Sequence, residues 1–178
     1  MASAAHAERG FTLVELMTVV AIIGVLAGLA TYGVRKYIRA AKQSEATSML
    51  TQIRAAEEAY REETFTYLGL AAASSWHPVM TPTEAKYDWG TSTTAGDTLF
   101  RPLGVRPDGP VMYAYTVVSG AAGATPASVV MATRTLTFPA ANDPYYVAMA
   151  RADLDGDGSL TYAVTYSGSS EIWLDDTF

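Results

Sequence analysis

Cysteine is absent from the sequence, which excludes disulfides, thiolate zinc sites and thiol nucleophiles together. An exported domain without disulfides needs a sufficient core or another staple. Histidine is nearly absent: His6 and His77 stand far apart, a poor basis for a histidine-centred catalytic or metal constellation. No G-x-S-x-G motif occurs either, so an anchored hydrolase has little behind it. Positive charge is scarce, with 12 basic against 18 acidic residues and a net charge of −6. That balance argues against a nucleic-acid-binding face.

What is present begins with an apolar run. From Phe11 to Val34 the only charged residue is Glu15, and about 24 such residues suffice to cross a bilayer as a helix. A carboxylate inside a span costs roughly 2.5–3.5 kcal/mol on insertion scales, so it calls for a partner or a purpose. A secretory signal peptide cut near Ala30 would have a shorter apolar region, about 7–15 residues, and no acid. A generic single-span anchor is a second reading. Charge counting favours a cytoplasmic position for Arg35, Lys36, Arg39 and Lys42, the basic cluster that follows the run. A juxtamembrane cluster of that kind explains itself without nucleic acid.

The third reading rests on particular residues. Gly10-Phe11-Thr12-Leu13-Val14-Glu15, followed by an uninterrupted apolar helix, resembles the type IV pilin family, which includes the type II secretion pseudopilins. Members share a short leader ending in Gly, a first mature residue that is usually Phe, and Glu at the fifth mature position. The resemblance covers about the first 50 residues. It implies that a prepilin peptidase cuts between Gly10 and Phe11 on the cytoplasmic side and N-methylates Phe11, with the charge-based orientation overruled. It also implies that Glu15 pairs with the N-terminal amine of a neighbouring subunit. Four helical residues place Glu15 about 6 Å along the axis from Phe11, and carboxylate and ammonium attract strongly at low dielectric. The leader carries only Arg9, offset by Glu8, where the family usually has a more basic one. Proline, common midway along this helix in the family, is missing here; Gly24, Gly28 and Gly33 supply small residues suited to close helix packing.

Beyond Val34, Ile38, Ala41, Glu45, Met49, Ile53, Ala56 and Tyr60 keep helical spacing. Lys42, Glu45, Arg54, Glu57, Glu58, Arg61, Glu62 and Glu63 read as the solvated remainder. The expectation is one helix from Phe11 to Glu63, near 80 Å long, whose second half has a stripe to bury. Residues 64–109, with four prolines and scattered Gly, Ser and Thr, read as a long connection pinned by Trp76 and Trp89. Strand signals follow at Val111–Val118, Ser128–Phe138, Tyr145–Ala152, Leu160–Tyr166 and Glu171–Asp176. The fold class is therefore α+β, a long N-terminal helix packed on a C-terminal antiparallel sheet. The organisation is leader 1–10, membrane or filament-core helix 11–34, amphipathic helix 35–63 and head 64–178.

Asp153, Asp155 and Asp157 alternate in D-L-D-G-D-G, matching the start of a calcium loop, with the carbonyl of Ser159 as a further ligand. The twelfth-position Glu is missing, since Val164 stands there; Glu171, Asp175 or Asp176 are the carboxylates left to complete a site. A plain acidic hairpin turn explains the same stretch. No other cofactor is expected. The leading functional expectation is a non-enzymatic structural subunit, major or minor, of a type IV pilus. It would wait in the bacterial inner membrane with a cytoplasmic N-terminus, then enter an extracellular or periplasmic filament. Its partners would be other pilins, the prepilin peptidase and the inner-membrane assembly machinery, with no nucleic acid. A type II secretion pseudopilin and a non-polymerising membrane-anchored binding module are the alternatives.

Overall fold

The computed structural model describes residues 10–70, 73–90 and 95–175. In chain order its elements are α1 (Leu13–Thr64), α2 (Ala95–Leu103), β1 (Ala114–Gly120), β2 (Val129–Val130), β3 (Thr135–Leu136), β4 (Tyr145–Ala152), β5 (Thr161–Tyr166) and β6 (Ile172–Leu174). The chain divides into two compact units, one ending at Ile38 and one beginning at Arg39. In the first, α1 presents Leu13, Val14, Ile22, Ile23, Leu26 and Leu29 to the outside, each more than half exposed. This is the long apolar helix expected from the sequence.

The second unit is the α+β head. β1, β4, β5 and β6 form one antiparallel sheet in the order β1-β4-β5-β6. Strand parity sorts its two faces. Tyr146, Ala148, Ala150 and Ala152 of β4 join Tyr115 and Val117 of β1 and Ala163 of β5 in one core. Tyr145, Val147 and Met149 point to the other face, with Val118, Val164 and Tyr166. The alanines on the first face leave room for α1, which contributes Ala46, Met49, Leu50 and Ile53 to the same core.

The buried stripe of α1 differs from the expected one. Ala41 is exposed, and Glu57, assigned to the solvated face, is fully buried. Several charged residues of that face act instead as tethers. Lys42 donates to the Leu154 carbonyl at 2.7 Å, and Glu45 accepts the Met112 and Tyr113 N–H groups at 2.8 and 3.2 Å. Arg54 donates to the carbonyls of Ser169 and Ser170 in the β5–β6 turn, and Glu57 accepts the Leu68 N–H at 2.9 Å. Each satisfies backbone groups that a short, irregular connection would otherwise leave bare.

Two further expectations are corrected. The connection 64–109 contains α2, whose Leu99, Phe100 and Leu103 enter the helix-side core. Gly104, at φ 66°, closes it: its N–H reaches the Arg101 carbonyl and the Val105 N–H reaches Phe100, the pattern of a Schellman cap. Leu70, His77 and Tyr87 bridge to β1 or its approach, and Trp76 and Trp89 are buried as expected. The stretch 128–138 is two two-residue strands, β2 and β3, paired as a hairpin outside the main sheet. It supplies Val129, Met131 and Phe138 to the second core.

Candidate functional site: the helix start and the acidic loop

Two places carry the residues singled out in the sequence. At the start of α1, Gly10 and Phe11 precede the helix and are exposed; residues 1–9 of the leader lie outside the described residues. Thr12 caps the helix. Its backbone N–H and hydroxyl both donate to Glu15 Oε2, at 2.9 and 2.7 Å, and the Glu15 N–H donates back to Thr12 Oγ1 at 3.3 Å. This reciprocal pair is a capping box, and it places a carboxylate where the helix dipole favours one. Glu15 therefore has a local partner in Thr12, which the T-x-x-E spacing signals and the sequence reading overlooked. Both bonds fall on Oε2, so the carboxylate is oriented before any second chain is considered.

In the head, the acidic loop links β4 to β5. Asp153 is buried and folds the loop around itself, accepting the N–H of Gly156 at 2.7 Å and of Gly158 at 3.1 Å. Both glycines take positive φ, 78° and 85°, which an L side chain adopts only with strain. Asp157 accepts the Ser159 N–H at 2.7 Å, and that backbone bond, with the Ser159 hydroxyl, holds its carboxyl below the usual range. Asp155 pairs with Arg39 at 3.0 Å. One oxygen each of Asp153, Asp155 and Asp157 can be chosen so that all lie within 4.8 Å of one another. The sequence thus brings these three together as read.

The carboxylates named to complete a site are not grouped with these three among the described residues. Asp175 is fully buried and spends its oxygens on the N–H groups of Ala132, Thr133 and Tyr162. Glu171 is exposed beside the β5–β6 turn, its own N–H on Ser169. Asp176 lies outside the described residues. Glu84 lies against the loop backbone, where a Cβ built on Gly156 would stand 3.0 Å from its carboxylate oxygen; it is not one of the three grouped carboxylates. No sequence signal marks it, because its approach depends on how the 73–90 connection folds.

Comparison with known proteins bears on the first place. Residues 5–31 match the family described as the prokaryotic N-terminal methylation motif. The chain is 38% identical over 90 residues to the type IV major pilin protein PilA of Myxococcus xanthus (strain DK1622), covering 51% of this chain and 40% of that protein. It is 37% identical over 84 residues to a fimbrial protein of Pseudomonas aeruginosa, 47% of this chain and 49% of the relative. A type IV major fimbrial protein FimA of Dichelobacter nodosus is 47% identical over 51 residues, 29% and 33% of the two chains. The aligned stretches thus span less than half the length of each of these curated relatives. No solved structure matches the chain. The methylation motif lies over Gly10, Phe11 and Glu15, and the aligned stretches of the chain are similar to these type IV pilin and fimbrial proteins.

Proposed function

We propose that this chain is a non-enzymatic structural subunit of a type IV pilus. The observation that carries the proposal is the helix start: a capped carboxylate at Glu15 heading an apolar helix segment that the rest of the chain leaves exposed. A surface of that kind belongs against lipid or against like helices. On this reading prepilin peptidase removes residues 1–10 and N-methylates Phe11 while the N-terminus is cytoplasmic. The subunit waits in the inner membrane, and the assembly machinery moves it into a filament outside the cell. The free amine of Phe11 in one copy then meets the Glu15 carboxylate of the next, and the pair sets register between helices. A type II secretion pseudopilin uses the same chemistry and differs in what its loss disables.

Mass spectrometry of filaments sheared from cells tests the proposal. The expected mature N-terminus is methylated Phe11, and a Glu15→Leu strain is expected to retain the protein in membranes while shedding no filaments. An N-terminus near Thr31 defeats the reading. Filament loss with secretion intact favours the pilus over the pseudopilus.

A second proposal concerns calcium. The three clustered carboxylates form a hard-oxygen donor set of the type this ion prefers. Arg39, now on Asp155, would then yield part of that carboxylate. Near-UV circular dichroism of the full chain in detergent should show a melting temperature several degrees higher in calcium than in chelator. The difference should vanish in Asp155→Ala/Asp157→Ala; equal melting in both buffers identifies a plain acidic turn.

A further inference from the structure

We infer that Phe65 of one head inserts into the cavity beside Trp76 on the head of a second copy of this chain. The inference rests on the filament reading above and names a contact within it.

Three large apolar side chains are exposed among the described residues of the head: Phe65, Met80 and Val130. They are not scattered. Val130 lines a cavity of about 350 Å3 whose walls include Trp76, Val118, Tyr145, Val147 and Met149, on the sheet face turned away from α1. Met80 is tied to Trp76, its sulfur accepting that residue's backbone N–H at 3.4 Å. The remaining one, Phe65, is 82% exposed. One projecting aromatic ring and one apolar cavity with an apolar rim therefore account for the exposed large hydrophobics of this unit.

Phe65 is also conspicuous in its backbone. It stands at φ 61° just after α1, and its N–H caps the Arg61 carbonyl at 2.8 Å. A helix ending in this way normally places Gly at that position, and a bulky residue there is a genuine outlier. Local folding favours Gly at 65, so the ring is explained by something outside the local fold.

Charge supports the pairing of these two surfaces. Glu62 and Glu63, both exposed, flank the ring on one side. At the cavity, the Arg151 guanidinium lies 4.0 Å from the Trp76 ring centroid, and Arg134 is exposed in the hairpin that carries Val130. The acidic residues next to Phe65 in the chain are thus opposite in sign to the Arg151 that lies against the Trp76 wall of the apolar cavity. Ring and cavity are different patches of one head, so the contact is heterologous, and such contacts propagate into open helical assemblies unless the rotation closes.

The absence of native cysteine makes the test clean. Cells producing a Phe65→Cys chain together with a Val130→Cys chain should shed filaments containing disulfide-linked dimers after mild oxidation. Phe65→Cys alone should give none. Phe65→Gly should keep or raise the melting temperature, because the backbone is relieved, while filament yield drops roughly tenfold, as for loss of one buried aromatic anchor; Phe65→Leu should restore much of it. Wild-type yield from Phe65→Gly without cross-linking overturns the contact and leaves the filament reading standing. Dimers from Phe65→Cys alone would mean a symmetric contact, and an intramolecular disulfide in a single chain carrying both Phe65→Cys and Val130→Cys would mean that the ring fills its own cavity; either overturns it. If the wild-type chain sheds no filaments at all, both readings fall together.

Discussion

The wild-type head should lose stability as pH rises from 5 to 9, and Glu57→Gln should remove most of that loss. Glu57 is fully buried on α1. Burial pushes its carboxyl up from an ordinary 4.5 to about 8; the Leu68 N–H opposes the shift and neighbouring Glu58 adds to it. One of its oxygens, Oε1, is buried without a hydrogen-bond partner, as is the hydroxyl of Tyr146. Between the two pKa values the folded chain holds a proton that the unfolded chain has released, so stability falls with rising pH across that window. Complete ionisation inside the fold costs on the order of 4–5 kcal/mol, a large part of what a domain of this size has. Gln keeps the acceptor for Leu68 and carries no charge. The two proteins should therefore have similar denaturation midpoints near pH 5, with Gln well ahead at pH 9. Arg54, Glu58, Arg61 and Tyr67 on the elements around Glu57, and His77, are present in both proteins, so the difference between the curves isolates position 57. Parallel curves would mean that Glu57 is ionised in the fold at all these pH values.

Glu57 also illustrates which part of the head can be read from sequence. Strand alternation in YYVAMARA and LTYAVTY located β4 and β5 to within a residue, because parity against two cores fixes every side chain at once. The helix stripe is harder. Glu57 falls four residues after Ile53 and seven after Leu50, in phase with the buried face, yet charge made it read as solvated. Its burial depends on the Leu68 N–H of a connection whose path is non-local. The same cause hid α2, where Leu99, Phe100 and Leu103 keep helical spacing across Pro102, and the hydrogen bonds of Lys42, Glu45 and Arg54 to distant backbone groups. At the helix start the opposite holds. Gly10, Phe11 and Glu15 are local in sequence, and so is the Thr12 cap, so everything about that place except its partner was available in six residues.

Asp175→Ala should cost the head about 3–5 kcal/mol, seen as a large fall in denaturant midpoint, whereas Asp155→Ala costs less than about 1 kcal/mol in the absence of calcium. Both are aspartates near the C-terminal strands, and both were candidates for the same ion. Their surroundings decide the difference. Asp155 is exposed and holds only Arg39, itself partly in solvent, so water replaces what is lost. Asp175 is fully buried and accepts the N–H groups of Ala132, Thr133 and Tyr162 at 3.0, 3.2 and 3.1 Å, and the Thr133 hydroxyl at 2.9 Å. Its backbone also takes part: its N–H donates to Tyr162 and its carbonyl accepts Gln43 of α1 at 3.2 Å. One residue thereby joins the β2–β3 turn and β5 through its side chain, and reaches α1 through its backbone. Ala removes the acceptor for four donors in part-buried bonds at once, and each donor loses a charge-assisted bond. Asn should do little better, since its amide nitrogen would face N–H groups while its single oxygen cannot serve all of them. Because the β2–β3 hairpin also carries Val130 at the rim of the Trp76 cavity, a small fragment of native structure should loosen first there. Hydrogen exchange should show Ala132 and Thr133 losing protection in Asp175→Asn at denaturant concentrations where β4 remains protected. Equal loss across β4 would mean that the latch and the sheet unfold as one unit.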